Sequence, residues 1–326
     1  MNPDLTRRTL LVASATAGLA AAAPRPARGF PDRPLRLLAP FAAGGTVDTV
    51  ARILADALAP VIGRQVIVEN KPGGSGSIAA TATVLGAADG HTLLFGIFSL
   101  AVAPALARLP YDTVADLTAV SQVASVPLLM FAAARTAFDT VAGAVAAARA
   151  APHALSYATG GTGSSGHMAA ELFARRAGIA LTHVPYRGSA DAVRALIAGD
   201  AELLWDTPSA ATAGYLTRGD LKALAVMTPA RLPAWQEIPA IAEAGLGDDL
   251  EVQAWQGVLV RAQTPEATVA ALYAAIAEAM AKPQTRARIA ALAVEPMATT
   301  PAAFGAFFRA EVRRWTEVAA RAGLSR

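Results

Sequence analysis

Short apolar runs along the chain alternate with longer stretches in which apolar residues recur at helical spacing, the pattern of strand-helix units building a mostly parallel sheet. Leu35-Arg-Leu-Leu-Ala39 predicts a strand, Val47 to Ala59 a helix, Val66 to Glu69 a strand, Ile78 to Leu85 a helix and Thr92 to Ile97 a strand. A second series opens at Leu128-Leu-Met-Phe-Ala132 and continues with helix Val141 to Ala150, strand Leu155 to Ala158, helix Met168 to Ala177, strand Leu181 to Val184, helix Ala190 to Ala198 and strand Glu202 to Asp206. Val252 to Val260 then reads as a long strand, and three helical segments follow: Pro265 to Ala281, Gln284 to Leu292 and Pro301 to Ala322. Thr300-Pro301 supplies the last helix with a cap and a proline at its first position.

The series describe two doubly wound α/β domains. No Gly/Ser linker separates them, so the chain is expected to cross between them near Val120 to Ala132 and again near Glu251 to Val260. Residues 30–125 with 256–326 would form one domain and residues 126–255 the other. Two crossings make a hinge around an interdomain cleft, and such clefts hold small ligands.

Composition narrows the compartment. The first 29 residues carry Arg7 and Arg8, a charge-free stretch from Thr9 to Ala23 and small residues at Ala27 and Gly29, the three parts of an export signal. The paired arginines suggest the twin-arginine route, although Leu10 stands where that route favours Phe, and an ordinary secretory signal stays open. Without this segment the chain holds 24 basic and 24 acidic residues, so the sequence pI near 9.5 owes much to the signal and argues little for nucleic-acid binding. The absence of cysteine excludes disulfides, a thiolate nucleophile and a lipidated-cysteine anchor. A freely diffusing, monomeric periplasmic protein is expected.

Three glycine-rich segments lie between a predicted strand and a predicted helix: Pro40 to Thr46, Asn70 to Ser77 and Thr159 to His167. Such turns present backbone N–H groups at the positive end of a helix, where carboxylates and phosphates bind, although each could equally be a tight turn and no more. Gly161-x-Gly163-x-x-Gly166 also matches the dinucleotide fingerprint, which leaves an exported oxidoreductase as the rival reading. Against it, the next strand ends Thr182-His-Val-Pro-Tyr-Arg187 with no acidic residue to hold a ribose. Gly163-Ser-Ser-Gly166 lacks the spacing of a nucleophile elbow. His167 and Glu171 sit one helical turn apart, but no other histidine has ligand spacing, so neither a metal nor a cofactor is expected. Asp206 ends a predicted strand, on the edge where open α/β sheets bind ligands, or else caps the helix opened by Pro208 and Ser209.

At these loops the chain resembles the Bug receptors, the periplasmic solute-binding proteins of tripartite tricarboxylate transporters. The resemblance rests on Phe30-Pro-Asp-Arg-Pro-Leu-Arg36, Pro40-Phe-x-x-Gly-Gly-Thr-x-Asp48, Val68-Glu-Asn-Lys-Pro-Gly73, Ala88-Asp-Gly-His-Thr-Leu93, His183-Val-Pro-Tyr-Arg-Gly188, Pro208-Ser-Ala210, Leu221 to Val226 and Ile238 to Gly245. It implies a flytrap that closes on a small carboxylate without catalysis and hands it to membrane permease subunits or a sensor. The expected ligand-binding residues in the first domain are Phe41, Ala42, Gly44, Gly45, Thr46 and Asp48, with Ser75, Ser77 and Ser99. In the second they are Thr159, Gly160, Thr162, Gly163, Ser164, Ser165 and His167, with Asp206 at the distal part of the ligand. Ala42-Ala43 stands where the family often has two prolines, and Ser75-Gly-Ser77-Ile78 where many relatives read Gly-Gly-Asn-Ile, which leaves the ligand open among dicarboxylates, tricarboxylates, aromatic acids and amino acids.

Overall fold

The structure, a computed structural model, describes residues 29–324 apart from Ala42, Ala234 and Asp248, so the expected export signal lies outside the described residues except for Gly29. Arg33–Arg326 forms one compact unit. Its first part runs β1 (Leu35–Ala39), α1 (Thr46–Ile62), β2 (Val66–Asn70), α2 (Ser77–Val84), β3 (Thr92–Ile97) and α3 (Phe98–Leu106). Strands β4 (Leu117–Pro127) and β5 (Leu129–Ala133) follow, then α4 (Val141–Ala150), β6 (Ser156–Thr159), α5 (Ser165–Ala177), β7 (Thr182–Pro185), α6 (Ser189–Ala198), β8 (Leu203–Asp206), α7 (Ala210–Arg218) and β9 (Leu221–Val226). The chain ends with β10 (Gln253–Arg261), α8 (Glu266–Ala281), α9 (Pro283–Ala290), β11 (Glu295–Pro296) and α10 (Pro301–Arg321). Among the described residues no helix is long and apolar enough to cross a membrane.

Two sheets result, a six-stranded one ordered β11-β4-β10-β3-β1-β2 and a five-stranded one ordered β7-β6-β8-β5-β9. The expectation of mostly parallel sheets is corrected. Strands β1, β2 and β3 are parallel, as are β6, β7 and β8, but β10 runs antiparallel to β3 and β4, and β5 antiparallel to β8 and β9. Strand β4 leaves the first sheet for the second, where β5 runs antiparallel to β8, and β10 returns to the first sheet antiparallel to β3 and β4.

Only Leu128 separates β4 in the first sheet from β5 in the second. The return passage is bonded to it: the Met227 amide donates to the Leu128 carbonyl at 2.8 Å, and the Val252 amide to the Met227 carbonyl at 3.0 Å. The Arg314 guanidinium of α10 donates to the carbonyls of Asp249 (2.8 Å) and Glu251 (2.7 Å) on the same passage.

Strand β5 shows why its sequence reads as one apolar run rather than an alternation. Leu129, Phe131 and Ala133 pack toward Ala192, Val193 and Leu196 of α6, while Met130 and Ala132 belong to the main core with Val145 of α4 and Phe173 of α5. A strand buried on both faces has no polar side to show. The main core continues through the first sheet to α10, where Trp255 of β10 meets the rings of Phe304 and Phe308 and where Trp315 packs edge-on against Phe98 of α3, 4.9 Å between centroids. Thr300 caps α10 as its sequence predicts, accepting from the Ala303 amide at 3.2 Å.

Candidate functional site

Strands β1, β2 and β3 are parallel and end on one edge of the first sheet, each running directly or through a glycine turn into a helix. After β1 the loop carries Phe41, Gly44 and Gly45 exposed to solvent and reaches the exposed first residue of α1, Thr46; Ala42 lies outside the described residues. Asp48, in the first turn of α1, is buried. Its carboxylate accepts from the Gly44 amide (2.9 Å), from Nε of Arg52 (2.9 Å) and from Nδ2 of Asn70 (2.7 Å), and the same Asn70 amide group donates to the Phe41 carbonyl (2.9 Å). The hydrogen bond from Arg52 lowers the Asp48 carboxyl to about 2 against the opposing effect of burial. The positive end of α1 is thus already answered by its own carboxylate.

This places a role on Asp48 that can be measured. Asp48→Ala is expected to lower stability by about 2–3 kcal/mol, because the Gly44 amide, the Asn70 amide and the Arg52 guanidinium lose one shared acceptor, and Asp48→Asn should lose less. A melting temperature unchanged in the alanine variant would show that the loop is held by other means.

The turn after β2 lifts Ser75 into the left-handed region at φ 52°, with its carbonyl held by Oγ of Ser99 at 2.7 Å. Ser99 lies in the first turn of α3. Residues 99, 102, 103 and 106 share one face of that helix, and they close a hollow of about 190 Å³ whose other walls include Ser75, Ser77 and, from the second sheet, Gly163. Two larger hollows, of about 420 and 480 Å³, lie beside α10 and the segment from Ala107 to Ala115, lined by neither glycine turn.

The second sheet repeats the arrangement. Parallel strands β6, β7 and β8 end together at Thr159, Pro185 and Asp206. Gly160 packs on the turn after β7, where an added Cβ would stand 3.3 Å from the Ser189 amide nitrogen. Ser164 caps α5, its hydroxyl accepting from the His167 amide at 3.2 Å. His167 is buried, and its Nδ1 accepts from the Gly163 amide at 3.2 Å, which places the ring proton on Nε2, 4.0 Å from Glu171. The rings of His167 and His183 stack with centroids 4.0 Å apart, Tyr157 lies against His183 at 4.9 Å, and Nε2 of His183 is 2.8 Å from Oγ1 of the buried Thr159. Burial holds both imidazoles neutral, lowering His167 to about 3 and His183 to about 4, with the neighbouring His183 adding to the effect on His167. These side chains support the loop from beneath. Exposed Thr162, half-buried Ser165 and the first-turn amides of Ser165 and Gly166 remain as its outward hydrogen-bonding groups.

Asp206 ends β8 half-buried, its carboxylate accepting from Oγ of Ser189 and from the Thr207 amide at 2.8 Å, and burial raises its pKa to about 6. The cap of α7 is Ser209, in a capping box with Thr212, so Asp206 has no helix to cap. Among the described residues no group of three or more acidic or histidine side chains is placed to hold a metal.

The two edges meet where a Cβ on Gly163 would approach Cδ1 of Leu106 to 2.7 Å. The structure therefore brings Ser75, Ser77, Ser99 and Gly163 around one hollow and sets Thr159 and His167 under the loop that supplies Gly163. Sequence reasoning did not find α3, Asn70 as the brace of the first loop, or Ser189 as the partner of Asp206. The last carried a signal, since Gly188-Ser189 stands between a strand and a helix as the three chosen segments do.

Residues 50–324 match the family profile described as the tripartite tricarboxylate transporter family receptor. Protein BugT of Bordetella pertussis is 33% identical over 313 residues, covering 95% of this chain and 94% of that protein. The structure of R. palustris Rpa4515 with adipate superposes with a TM-score of 0.79 at 32% identity, over 91% of this chain and 99% of that one. MatC from Rhodopseudomonas palustris with bound malate gives a TM-score of 0.76 at 29% identity, over 89% of this chain and 99% of that one.

Proposed function

Because the chain belongs to the tripartite tricarboxylate transporter receptor family, we propose that it is an exported periplasmic receptor that captures a small organic carboxylate between its two sheets and delivers it to permease subunits or to a sensor. The observation that carries this reading is the meeting of the two carboxyl edges at Gly163 and Leu106, with the starts of α2 and α5 on either side. Orphan first-turn amides and hydroxyls are suited to an anion. The adipate and malate held by the two solved relatives are of the same chemical class. The lobes, 30–125 with 256–326 and 126–255, would hinge at the bonded backbones of Leu128, Met227 and Val252. Ligand favours the closed form only through contacts that exist there.

The glycine spacing of the rival dinucleotide reading has a packing explanation. Gly166 lies so close to the Trp205 carbonyl that a Cβ would come within 2.0 Å of its oxygen. Such helix-strand packing is also what the third glycine of a dinucleotide fingerprint provides, so the weight against that reading rests on the missing acidic residue at the end of β7.

The test is a melting curve of periplasm-purified protein, stripped by unfolding and refolding, against a panel of carboxylates with NAD and FAD. A ligand at a hundred times its dissociation constant adds about 2.7 kcal/mol, a shift of a few degrees. The shift should come from one class of carboxylate and change little with salt, since oriented dipoles rather than net charge hold the anion. A shift with a dinucleotide alone would overturn the receptor reading.

A further inference from the structure

Resting on that carboxylate reading, we propose that the acid this receptor prefers carries a single carboxylate on an apolar body of about ring size, the body seated beneath α3 against Val102 and Leu106. The hollow between the two edges has two chemically distinct walls. On one side stand the hydroxyls of Ser75 and Ser77, and on the other the face of α3, polar at Ser99 and hydrocarbon at Val102, Ala103 and Leu106. Oγ of Ser99 donates to the Ser75 carbonyl, whereas the Ser75 and Ser77 hydroxyls have no partner among the described residues. Ser77 opens α2 and Ser75 lies in the turn just before it, where the next first-turn amides add to them. One carboxylate is accommodated there, and the rest of the molecule must then lie along α3.

Size agrees with a ring. An apolar hollow of about 150 Å³ accepts benzene, and this one measures about 190 Å³, enough for a ring and its carboxylate.

Charge argues against a second carboxylate. Among the described residues no lysine, arginine or histidine side chain lines the hollow. The Arg52 guanidinium, which braces the first loop, is engaged by Asp48 and Asn70. At the second edge the cation is Arg187, exposed on the turn before Gly188, and the acidic group is Asp206, already bonded to Ser189 and Thr207. A diacid or triacid would bring a second negative charge into a hollow with no counter-ion among the described residues, whereas a hydrocarbon body meets Leu106 favourably.

Titration calorimetry of the stripped wild-type protein with benzoate, hexanoate, malate and citrate tests this directly. Benzoate and hexanoate are expected to bind at least about tenfold more tightly than malate and citrate. Leu106→Ser should weaken benzoate by about tenfold, and Val102→Ser should act in the same direction. Circular dichroism of each variant without ligand establishes that it is folded, and the wild-type ranking stands independently of both. Malate or citrate binding more tightly than benzoate and hexanoate would overturn the proposal while leaving a carboxylate receptor in place. Binding of no acid would remove the receptor reading and this one with it.

Discussion

Replacing Gly163 with valine is expected to abolish ligand capture while leaving the ligand-free protein folded. Gly163 adopts φ 78°, a left-handed conformation that costs a residue with a Cβ roughly 1–2 kcal/mol. The cost is modest against the stability of a domain of this size, and the first atom the new side chain meets is Cδ1 of Leu106, at 2.7 Å, the far end of a flexible side chain. What the substitution does not spare is the meeting of the two edges. Gly163 belongs to the second sheet's loop and Leu106 to the first sheet's α3, so the added branches act as a wedge at the point where the edges approach. A closed state reached only with several kcal/mol of overpacking loses ligand by more than about a hundredfold.

Gly166→Ala, three residues along in the first turn of α5, supplies the contrast. Its Cβ would stand 2.0 Å from a backbone carbonyl oxygen that no rotamer can move. That change should lower the melting temperature sharply, whereas Gly163→Val should lower it little and remove the ligand-induced shift. Normal carboxylate binding in a folded Gly163→Val protein would move the site elsewhere.

The difference between these two glycines shows what the sequence could and could not convey. Both lie in one segment chosen for its strand-turn-helix setting, and the strands and helices flanking it appear within a few residues of their predicted bounds. Whether a glycine is required by packing against Trp205 or faces a partner on the other sheet depends on contacts 39 and 57 positions away, which local periodicity does not record. Helix α3 was missed for a related reason. Phe98-Ser-Leu-Ala-Val-Ala103 follows β3 without a turn signal and is buried almost all round, so it shows neither an amphipathic stripe nor a start. The direction of the crossing strands was hidden too, because a strand's apolar run is the same read parallel or antiparallel. The network of Asp48, Asn70 and Arg52 joins a helix to a strand 22 positions away, a pairing that becomes visible only once β1 and β2 lie side by side. Sites assembled from strand ends are legible as motifs, while the residues that fix their geometry belong to the fold.

Acid should destabilise the protein through the imidazole pair beneath the second loop, and a variant without that pair should be relatively more stable as pH falls. The sign follows from where each proton binds. In the unfolded chain a histidine titrates near 6.5, whereas in the folded protein burial lowers His167 to about 3 and His183 to about 4. Between pH 6.5 and about 4 the unfolded chain therefore takes up protons that the folded one refuses, and each such group removes about 1.4 kcal/mol of stability per pH unit. Glu171, 4.0 Å from Nε2 of His167, would favour the imidazolium, but burial is the larger effect, and its carboxylate already accepts from the Tyr157 hydroxyl at 2.5 Å. Two carboxyl groups act in the opposite sense. Burial raises Asp206 to about 6 and raises Glu311 as well, so the folded state holds their protons more readily and gains stability as pH falls through the same window. The wild-type curve is a partial cancellation, and the informative quantity is its difference from a variant. His167→Asn keeps an acceptor near the Gly163 amide, and His183→Gln keeps a polar atom near Thr159, so the double variant should hold the loop without the titrating rings. From pH 7 to pH 4.5 the wild type should lose about 3 kcal/mol or more relative to that variant, measured by urea unfolding at each pH. Parallel curves for the two proteins would mean that both imidazoles are charged in the folded state, and the neutral stack that carries the Gly163 amide would have to be abandoned.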